Sequence, residues 1–443
     1  MQETLSHYFG YKSFRPGQEE IITKILNHQH TLGVLPTGGG KSICYQVPGL
    51  MQGGTTIVIS PLISLMKDQV DQLQAMGIQA AYLNSSLTHK QQKEIEERIK
   101  RGAIQFLYVA PERFENTFFL NLLRKIKIPL IAFDEAHCIS KWGHDFRPSY
   151  QSVIQKVFTL PQSFTIVALT ATATAEVQQD IMSKLSIGQN DVVKTSTKRR
   201  NLIFKVNPTY QRQKFVVDYV ANHEGQAGII YCSTRKQVEE LHEALNSEKI
   251  KSTIYHAGLT NKERIEAQND FLYDRVEVVI ATNAFGMGID KSNVRYVIHY
   301  NMPGDLESYY QEAGRAGRDG LKSECILLFS ERDKGLHEYF ITVSQADDDY
   351  KDKMGEKLTK MIQYTKTKKC LEATIVHYFE PNENLEECNQ CSNCIQENKT
   401  YDMTREAKMI ISCIARMKQQ ESYSVIIQVL RGEVTDYIKH HHY

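Results

Sequence analysis

The sequence predicts an α/β protein in which two parallel-sheet domains follow each other and a smaller helical part comes last. From residue 32 to about residue 170, short β-branched runs alternate with stretches of helical character. The same alternation begins again after a basic segment at residues 194–214. Such alternation is typical of βαβ units on a parallel sheet. After about residue 330 the chain becomes charged and helical, so we expect the sheets to end there.

The predicted strands are the apolar runs of this alternation. In the first domain they occupy residues 31–34, 56–60, 104–109, 129–133 and 164–169. In the second domain they occupy residues 228–232, 252–256, 276–281, 294–299 and 325–329. Runs of this kind, rich in Val, Ile and Leu, are typical of strands that are buried on both faces of a sheet.

Composition limits the classes of protein to which this chain can belong. It has 443 residues, 41% hydrophobic and 24% charged, as expected for two or three globular domains. The net charge of +1 argues against a protein that coats DNA passively. The sequence shows neither an apolar stretch of membrane-spanning length nor a signal peptide. We therefore expect a cytosolic protein without a membrane partner, whose nine cysteines do not form disulfides.

A glycine-rich segment follows the first predicted strand. It reads Leu-Pro-Thr-Gly-Gly-Gly-Lys-Ser, from Leu35 to Ser42. A strand that opens into such a turn and a helix lets backbone N–H groups face a polyphosphate. Lys41 is predicted to reach the β- and γ-phosphates, and the Ser42 hydroxyl to hold Mg²⁺. Leu35 stands where the usual pattern has its first glycine. The other members of the predicted phosphate cradle are Thr37, Gly38, Gly39 and Gly40.

A second phosphate-handling signature, Asp-Glu-Ala-His, follows the predicted strand at residues 129–133. Asp134 is predicted to lie toward Mg²⁺, and Glu135 to act as the base for the attacking water. The two signatures together indicate a nucleoside-triphosphate hydrolase. The second domain carries no lysine-bearing glycine-rich loop in its sequence. We therefore expect one nucleotide site, shared between two similar domains.

Four cysteines near the end of the chain form a metal-ligand pattern. Cys388, Cys391 and Cys394 are spaced Cys-x-x-Cys-x-x-Cys, and Cys370 lies upstream on a predicted helix. Four sulfurs suit tetrahedral Zn²⁺ with no open position, so a structural zinc site is predicted. An iron–sulfur cluster needs the same ligands and is the main alternative.

The order of these motifs resembles that of a superfamily-two helicase, and specifically of the RecQ family of DNA helicases, over nearly the whole chain. The resemblance begins with residues 9–18, Phe-Gly-Tyr-Lys-Ser-Phe-Arg-Pro-Gly-Gln. In the family this motif reads adenine, which implies that Gln18 bonds the base edge while Tyr11 and Arg15 pack around it. An amide is suited to this because it both donates and accepts. Asp290, in a motif of the second domain, is implied to meet the ribose or to couple the two sites.

Other matching segments contact DNA in the family. Residues 138–148 match its aromatic-rich loop and carry the single tryptophan, Trp142. This ring has a core position as its alternative, but its polar neighbours favour a loop that stacks on bases. The resemblance implies DNA contacts or coupling by Trp142, His144, Phe146, Arg147, Thr170, Thr172, Arg113 and His256.

The last family motif reads Tyr-Gln-Glu-Ala-Gly-Arg-Ala-Gly-Arg-Asp and precedes the final predicted strand. By resemblance, Arg315 and Arg318 are arginine fingers that complete the ATP site, and Gln311 positions the water. The alternative is that both arginines pair with nearby carboxylates such as Glu312 and Asp319.

The resemblance also implies an architecture and an activity. We expect two RecA-like domains, a helical zinc-binding subdomain and a partial winged-helix segment at residues 1–200, 201–335, 336–400 and 401–443. The chain is expected to be a short family member, without the trailing helical nucleic-acid-binding domain. The expected activity is ATP- and Mg²⁺-dependent 3′ to 5′ translocation on single-stranded DNA, with duplex unwinding, in recombination and repair.

The expected partners are single-stranded and forked DNA, with a single-strand-binding protein as a candidate protein partner. We expect a monomer in the cytoplasm, at the bacterial nucleoid. Two alternatives stay open. One is an RNA-dependent ATPase, because Asp-Glu-Ala-His also occurs in RNA remodelling enzymes. The other is a DNA-stimulated ATPase scaffold that remodels without processive unwinding.

Overall fold

Two separate parallel sheets dominate the first 395 residues. The computed structural model describes residues 1–61, 63–85, 87–143, 145–286, 291–383, 386–395, 403–418 and 421–441. The chain divides into one unit at residues 1–395 and a second at residues 396–443. The predicted α/β class is found in the first unit.

The first sheet places both predicted phosphate-handling segments at one edge. Its strands are β1 (Thr31–Val34), β2 (Thr56–Ile59), β3 (Ala80–Leu83), β4 (Phe106–Val109), β5 (Leu130–Phe133), β6 (Thr165–Thr170) and β7 (Val192–Lys194). They lie in the order β3-β4-β2-β5-β6-β1-β7, and their described pairings are parallel. Because β6 lies between β1 and β5, the segments that follow these three strands meet at their carboxyl ends.

Helices cover both faces of this sheet. They are α1 (Gln2–Phe9), α2 (Gln18–Leu26), α3 (Ile43–Gln52), α4 (Ile63–Ala75), α5 (His89–Lys100), α6 (Thr117–Leu123), α7 (Pro148–Val157) and α8 (Ala175–Leu185). Successive residues of a strand face opposite sides. Ile57 and Ile59 of β2 therefore belong to a buried cluster with α5 to α8, whereas Val58 belongs to a cluster with α2 to α4. Short 3₁₀ helices lie at Pro111–Glu115, Ala136–Ile139 and Gln189–Asp191.

The second sheet repeats this plan. Its strands are β8 (Leu202–Pro208), β9 (Ala227–Tyr231), β10 (Ser252–Tyr255), β11 (Val278–Ala281), β12 (Val294–His299) and β13 (Ser323–Phe329), and its helices are α9 (Arg212–Ala221), α10 (Arg235–Ser247), α11 (Asn261–Leu272) and α12 (Leu306–Ala313). The strand order is β10-β11-β9-β12-β13-β8, again with parallel pairings. Every predicted strand is present, and β3, β7 and β8 are additional strands that the sequence interpretation missed.

A helical part follows the second sheet and packs against it. Its helices are α13 (Glu331–Val343), α14 (Asp348–Lys366), α15 (Leu371–Phe379) and α16 (Ser392–Ile395). Met361 of α14 and Ile375 of α15 lie in the same buried cluster as Val297 of β12. The helical part thus shares its core with the second domain. Residue 335, the expected domain limit, lies within α13.

The unit at residues 396–443 has three helices in its described residues. They are α17 (Thr404–Arg416), α18 (Tyr423–Leu430) and α19 (Asp436–His440). Tyr423 is 87% exposed at the start of α18. Across the described ranges of the whole chain, no helix combines the length and apolar character that crossing a membrane requires.

Candidate active site and metal centre

The glycine-rich segment after β1 forms a turn that depends on two of its glycines. Gly38 has φ 76° and Gly40 has φ 74°, in the left-handed region that favours glycine. A Cβ on Gly40 would lie 2.5 Å from Nε2 of Gln18, so a larger residue would also displace that side chain. The turn leads directly into α3, with Ser42 at the helix N-cap. Its backbone N–H groups and the helix N-terminus can therefore act together on an anion.

Two residues of the predicted adenine motif hold this turn. Nε2 of Gln18 donates to the Gly40 carbonyl at 2.9 Å, and Oε1 of Gln18 accepts from the Arg15 backbone N–H at 2.8 Å. The Arg15 guanidinium donates to the Gly38 carbonyl. Tyr11 lies at the rim of the same cavity and is 54% exposed. The three side chains thus lie beside the glycine turn, and their contact with adenine stays a prediction.

A cavity of about 430 Å³ brings the predicted catalytic and nucleotide-binding residues together. This volume lies in the range of small-molecule sites. The predicted residues that line it are Tyr11, Arg15, Gln18, Thr37, Gly38, Gly40, Lys41, Ser42, Asp134, Glu135, Gln311, Arg315 and Arg318. They come from both sheet domains, so the cavity lies at the seam between them.

The acidic pair lies opposite the lysine of the turn. Nζ of Lys41 is 3.8 Å from Oε1 of Glu135. Asp134 is buried, and its Oδ1 accepts from the Glu135 backbone N–H at 3.0 Å. Burial, together with the Glu135 carboxylate, raises the pKa of Asp134 to about 7. A divalent cation beside such a carboxylate favours the charged form. The Asp134 carboxylate and the Ser42 hydroxyl, both at the cavity, are oxygen ligands of the type that Mg²⁺ takes.

A chain of polar contacts connects the predicted base with two predicted coupling residues. Nδ1 of His137 lies 3.4 Å from Oε2 of Glu135 and 3.1 Å from Oγ1 of Thr170. The Thr170 hydroxyl donates to the Thr172 carbonyl at 3.0 Å. His137, Thr170 and Thr172 are fully buried. One buried imidazole therefore connects the segment after β6 with the acidic pair.

The far wall of the cavity comes from the second domain. The Thr37 hydroxyl donates across the seam to the Gly314 carbonyl at 3.0 Å. Arg315 is buried and donates to a backbone carbonyl of its own domain. Arg318 packs on the glycine turn, where a Cβ on Gly38 would meet its Cγ at 3.4 Å. Both predicted fingers thus line the cavity, and Arg318 lies against its glycine turn.

The carboxylates that offered an alternative to the finger role have other partners. Oε2 of Glu312 lies 2.8 Å from Nε2 of His299, and Oδ2 of Asp319 lies 2.5 Å from Nη2 of Arg295. The finger role of the two arginines stays a prediction. Asp290, the predicted ribose or coupling residue, lies outside the described residues.

Arg199 is a seam residue that the sequence interpretation missed. It lies between β7 and β8, in the connection between the two sheets. Its Nη1 donates to the Thr37 carbonyl at 2.8 Å, and its Nη2 donates to the Gly317 and Ala316 carbonyls at 2.9 and 3.2 Å. One guanidinium therefore joins the glycine turn to the backbone between the two predicted fingers. Its only sequence signal was membership of the basic segment 194–214.

Trp142 of the aromatic-rich loop has features of both a core residue and a loop residue. The Trp142 ring is partly buried and packs against the first-domain core. The ammonium groups of Lys141 and Lys353 lie 5.4 and 5.8 Å from the centre of the ring. The Trp142 carbonyl accepts from Nζ of Lys357, on α14, at 2.8 Å. The loop is therefore docked on the helical part.

The other predicted DNA residues of this loop lie beside it. Phe146 is half-buried, and Nη1 of Arg147 donates to the Pro61 carbonyl at 2.8 Å while its Nη2 pairs with Asp145 at 3.2 Å. His144 lies outside the described residues. The Arg147 guanidinium thus positions the loop against the segment after β2.

Two predicted strand contacts have protein partners in this structure. Nη2 of Arg113 lies 2.8 Å from Oε1 of Glu96 on α5. His256 is only 3% exposed, and its Nε2 lies 3.5 Å from Oε1 of Glu239. DNA contact by these two side chains stays a prediction.

The four predicted metal ligands come together. The sulfurs of Cys370, Cys388, Cys391 and Cys394 all lie within 4.8 Å of one another. Three of the separations are 3.4, 3.9 and 4.0 Å. Sulfurs about 2.3 Å from one zinc ion, at the corners of a tetrahedron, lie about 3.8 Å apart. The Leu371, Cys388 and Cys391 backbone N–H groups point at cluster sulfurs at 3.3 Å, which stabilises thiolates. The donor set therefore fits a closed structural zinc site.

Two parallel-sheet domains that share one nucleotide cavity, with cations on both walls, define the core of a superfamily-two helicase. Four family models match the chain: DEAD/DEAH box helicase at residues 15–181, helicase conserved C-terminal domain at 211–320, RecQ zinc-binding at 331–395 and RQC domain at 397–443. The chain belongs to the RecQ family of ATP-dependent DNA helicases.

Individual relatives agree with this assignment. The chain is 48% identical over 432 residues to the ATP-dependent DNA helicase RecQ of Bacillus subtilis (strain 168), covering 97% of this chain and 73% of that protein. It is 42% identical over 428 residues to the protein of the same name in Haemophilus influenzae, covering 97% and 69%. A crystal structure of the helicase MrfA bound to DNA is similar in fold, with a TM-score of 0.63, 17% identity and coverage of 78% of this chain and 51% of that chain.

These findings confirm the predicted family, fold class, enzyme class and cofactors. All four cysteines lie within the region matched by the RecQ zinc-binding model, so zinc is the metal and the iron–sulfur alternative is set aside.

Proposed function

We propose that this chain moves 3′ to 5′ along single-stranded DNA and separates forked duplexes, using ATP hydrolysis at the seam between its sheet domains. The supporting observation is the composition of the cavity. Lys41 and Glu135 line one wall, and Arg315 and Arg318 line the other. A site that is complete only when both domains contribute makes hydrolysis depend on their relative position.

The first-domain wall binds the phosphates and prepares the water. The glycine turn and Lys41 hold the β- and γ-phosphates, and Ser42 and Asp134 hold Mg²⁺. The bound ion neutralises charge that develops on the phosphoryl oxygens. Glu135 takes the proton of the attacking water, and the Lys41 ammonium lies 3.8 Å from this carboxylate.

The second-domain wall supplies charge in the transition state. Arg315 and Arg318 stabilise the γ-phosphoryl oxygens, a contribution of about 10³–10⁵-fold in related enzymes. Gln311, on α12, lies on the same wall and positions the water. After hydrolysis these contacts are lost, so the domains can separate and the grip on the strand can alternate.

The cellular setting follows from the same proposal. The protein acts as a monomer on forked DNA in recombination and repair, and a single-strand-binding protein is its candidate partner. It works in the cytoplasm at the nucleoid, where bacterial DNA lies. The domain limits 1–200, 201–335, 336–400 and 401–443 divide this work into two motor domains, a zinc-binding subdomain and a duplex-facing segment.

Strand displacement on tailed duplexes tests the proposal. We expect ATP-dependent release of a labelled strand from a duplex with a 3′ single-stranded tail, and at least about tenfold slower release from the same duplex with a 5′ tail. Faster release from the 5′-tailed duplex contradicts the proposed polarity. ATP hydrolysis without release from either duplex favours the scaffold alternative.

A comparison of nucleic acids tests the substrate. We expect single-stranded DNA to stimulate ATP hydrolysis more strongly than RNA of equal length and sequence. Stronger stimulation by RNA contradicts the DNA assignment.

A further inference from the structure

One buried lysine of the helical part contacts both the first and the second sheet domain. Lys357 lies on α14 and is 5% exposed. Its Nζ donates to the Trp142 carbonyl of the aromatic-rich loop at 2.8 Å. The same Nζ lies 2.9 Å from Oε1 of Glu307, in the first turn of α12. The ammonium therefore connects a loop of the first domain with a helix of the second domain.

The helix that receives this contact leads to the nucleotide cavity. Glu307 is near the start of α12, and Gln311, one turn later, lines the cavity. The chain then continues to Arg315 and Arg318 on the same wall. A displacement of the first turn of α12 is thus carried by a rigid helix toward the residues that act on ATP.

Burial makes this contact sensitive to the position of the loop. The Lys357 and Glu307 side chains are 6% and 4% exposed, so solvent contributes little to either charge. A buried ammonium that loses a hydrogen-bond acceptor is destabilised unless it moves to another acceptor. If the backbone of Trp142 shifts when its ring meets a base, Lys357 loses that acceptor and Glu307 is left as its charged partner.

We propose that Lys357 is a positioning residue that transmits the state of the aromatic-rich loop to the finger-bearing wall through Glu307. This inference rests on the proposed function, in which the loop contacts the DNA strand. It adds a residue of the zinc-binding subdomain to the link between DNA and ATP hydrolysis. The subdomain then has a part in coupling as well as in folding.

The tryptophan content of the chain allows a direct test. Trp142 is the one tryptophan, so emission excited at wavelengths that tyrosine does not absorb reports on the loop alone. The test variant is the full zinc-loaded chain with Lys357→Met and Glu307→Gln together, which removes both charges and leaves no unpaired buried ion. Its matched control is Lys353→Met. Lys353 lies one turn earlier on α14, near the same ring, and pairs with Glu176 of α8 at 2.8 Å.

The expected result separates DNA sensing from DNA response. In the double variant, single-stranded DNA still changes Trp142 emission, with a half-saturating concentration within about threefold of the wild type. The ratio of DNA-stimulated to DNA-free ATP hydrolysis falls about tenfold, as for residues that carry coupling. In Lys353→Met this ratio stays within about twofold of the wild type.

Other outcomes overturn the inference or the function beneath it. A ratio within twofold of the wild type in the double variant removes Lys357 from coupling. Loss of both the emission change and the stimulation assigns Lys357 to DNA binding instead. If the double variant fails to retain zinc, Glu307→Gln alone is measured, and an unchanged ratio there also refutes the inference. A wild-type chain without any DNA stimulation contradicts the proposed function itself.

Discussion

Arg199→Ala is the substitution that most directly tests whether the seam arrangement is the catalytic one. The guanidinium joins the Thr37 carbonyl of the glycine turn to the Gly317 and Ala316 carbonyls between the two fingers. Alanine removes these contacts and leaves the backbone of the connection unchanged. We expect a lower turnover number for ATP with saturating DNA, because the closed arrangement becomes less populated.

The expected loss of turnover is worked from the two shorter contacts of the guanidinium, at 2.8 and 2.9 Å. One contact is made to each domain, and both are needed to join the domains. A hydrogen bond from a charged donor contributes about 1.5–3 kcal/mol. Taking the lower value for each gives about 3 kcal/mol. Water that replaces the partly exposed side chain restores about a third of this free energy, which leaves a loss of about 2 kcal/mol. A loss of about 2 kcal/mol corresponds to a 30-fold lower turnover number.

The neighbouring Arg200 provides a control with the same loss of charge, because its side chain is exposed. Phosphate release is measured for Arg199→Ala, Arg200→Ala and the wild type across a range of ATP concentrations. Arg200→Ala should lie within about twofold of the wild type, as surface substitutions usually do. Equal turnover numbers for the two variants would show that hydrolysis occurs in an arrangement of the domains without the Arg199 contacts.

Three further substitutions address the phosphate turn, the loop and the metal. Lys41→Ala should lower ATP turnover by about 10²–10³-fold, while fluorescence anisotropy shows DNA binding within threefold of the wild type; near-normal turnover removes Lys41 from the mechanism. Trp142→Ala should reduce DNA stimulation of hydrolysis more than DNA-free hydrolysis; equal loss of both, with poor solubility, makes Trp142 a core residue. Cys394→Ala should lower bound zinc, measured by elemental analysis, from about one per chain to near zero and lower the thermal unfolding midpoint, because such sites contribute folding free energy. A full zinc content in that variant contradicts the assigned ligand set.

The fold was largely predictable because its central strands are short runs rich in Val, Ile and Leu. The three strands that the sequence interpretation missed, β3, β7 and β8, are all edge strands. An edge strand is covered less completely, so its sequence need not be a continuous apolar run. β8 is an example: five of its seven residues are only half-buried or exposed, and it lies within the basic segment that was taken as a connection.

The candidate site also contains residues that could be predicted from the sequence and residues that could not. The glycine turn and the acidic pair are local signatures, so their chemistry could be predicted from spacing alone. Arg199 and Lys357 act through backbone carbonyls and a carboxylate that are distant in the sequence, and no local pattern marks them. A lysine on a charged helix is ordinarily solvated. Only the packing of α14 against two domains gives this one a buried partner.

The hydrogen bonds of Gln18 have a consequence for how a nucleotide enters. Its amide nitrogen already donates to the Gly40 and Gly39 carbonyls, at 2.9 and 3.2 Å. Under the proposed adenine role, a base that accepts from this nitrogen replaces at least one of these carbonyls, because a side-chain amide has only two N–H groups. Under that proposal, entry of ATP exchanges an internal hydrogen-bond acceptor of Gln18 for an external one, and selection of the base is tied to release of the glycine turn. Nucleotides whose bases offer Gln18 a poorer acceptor should leave that turn closed.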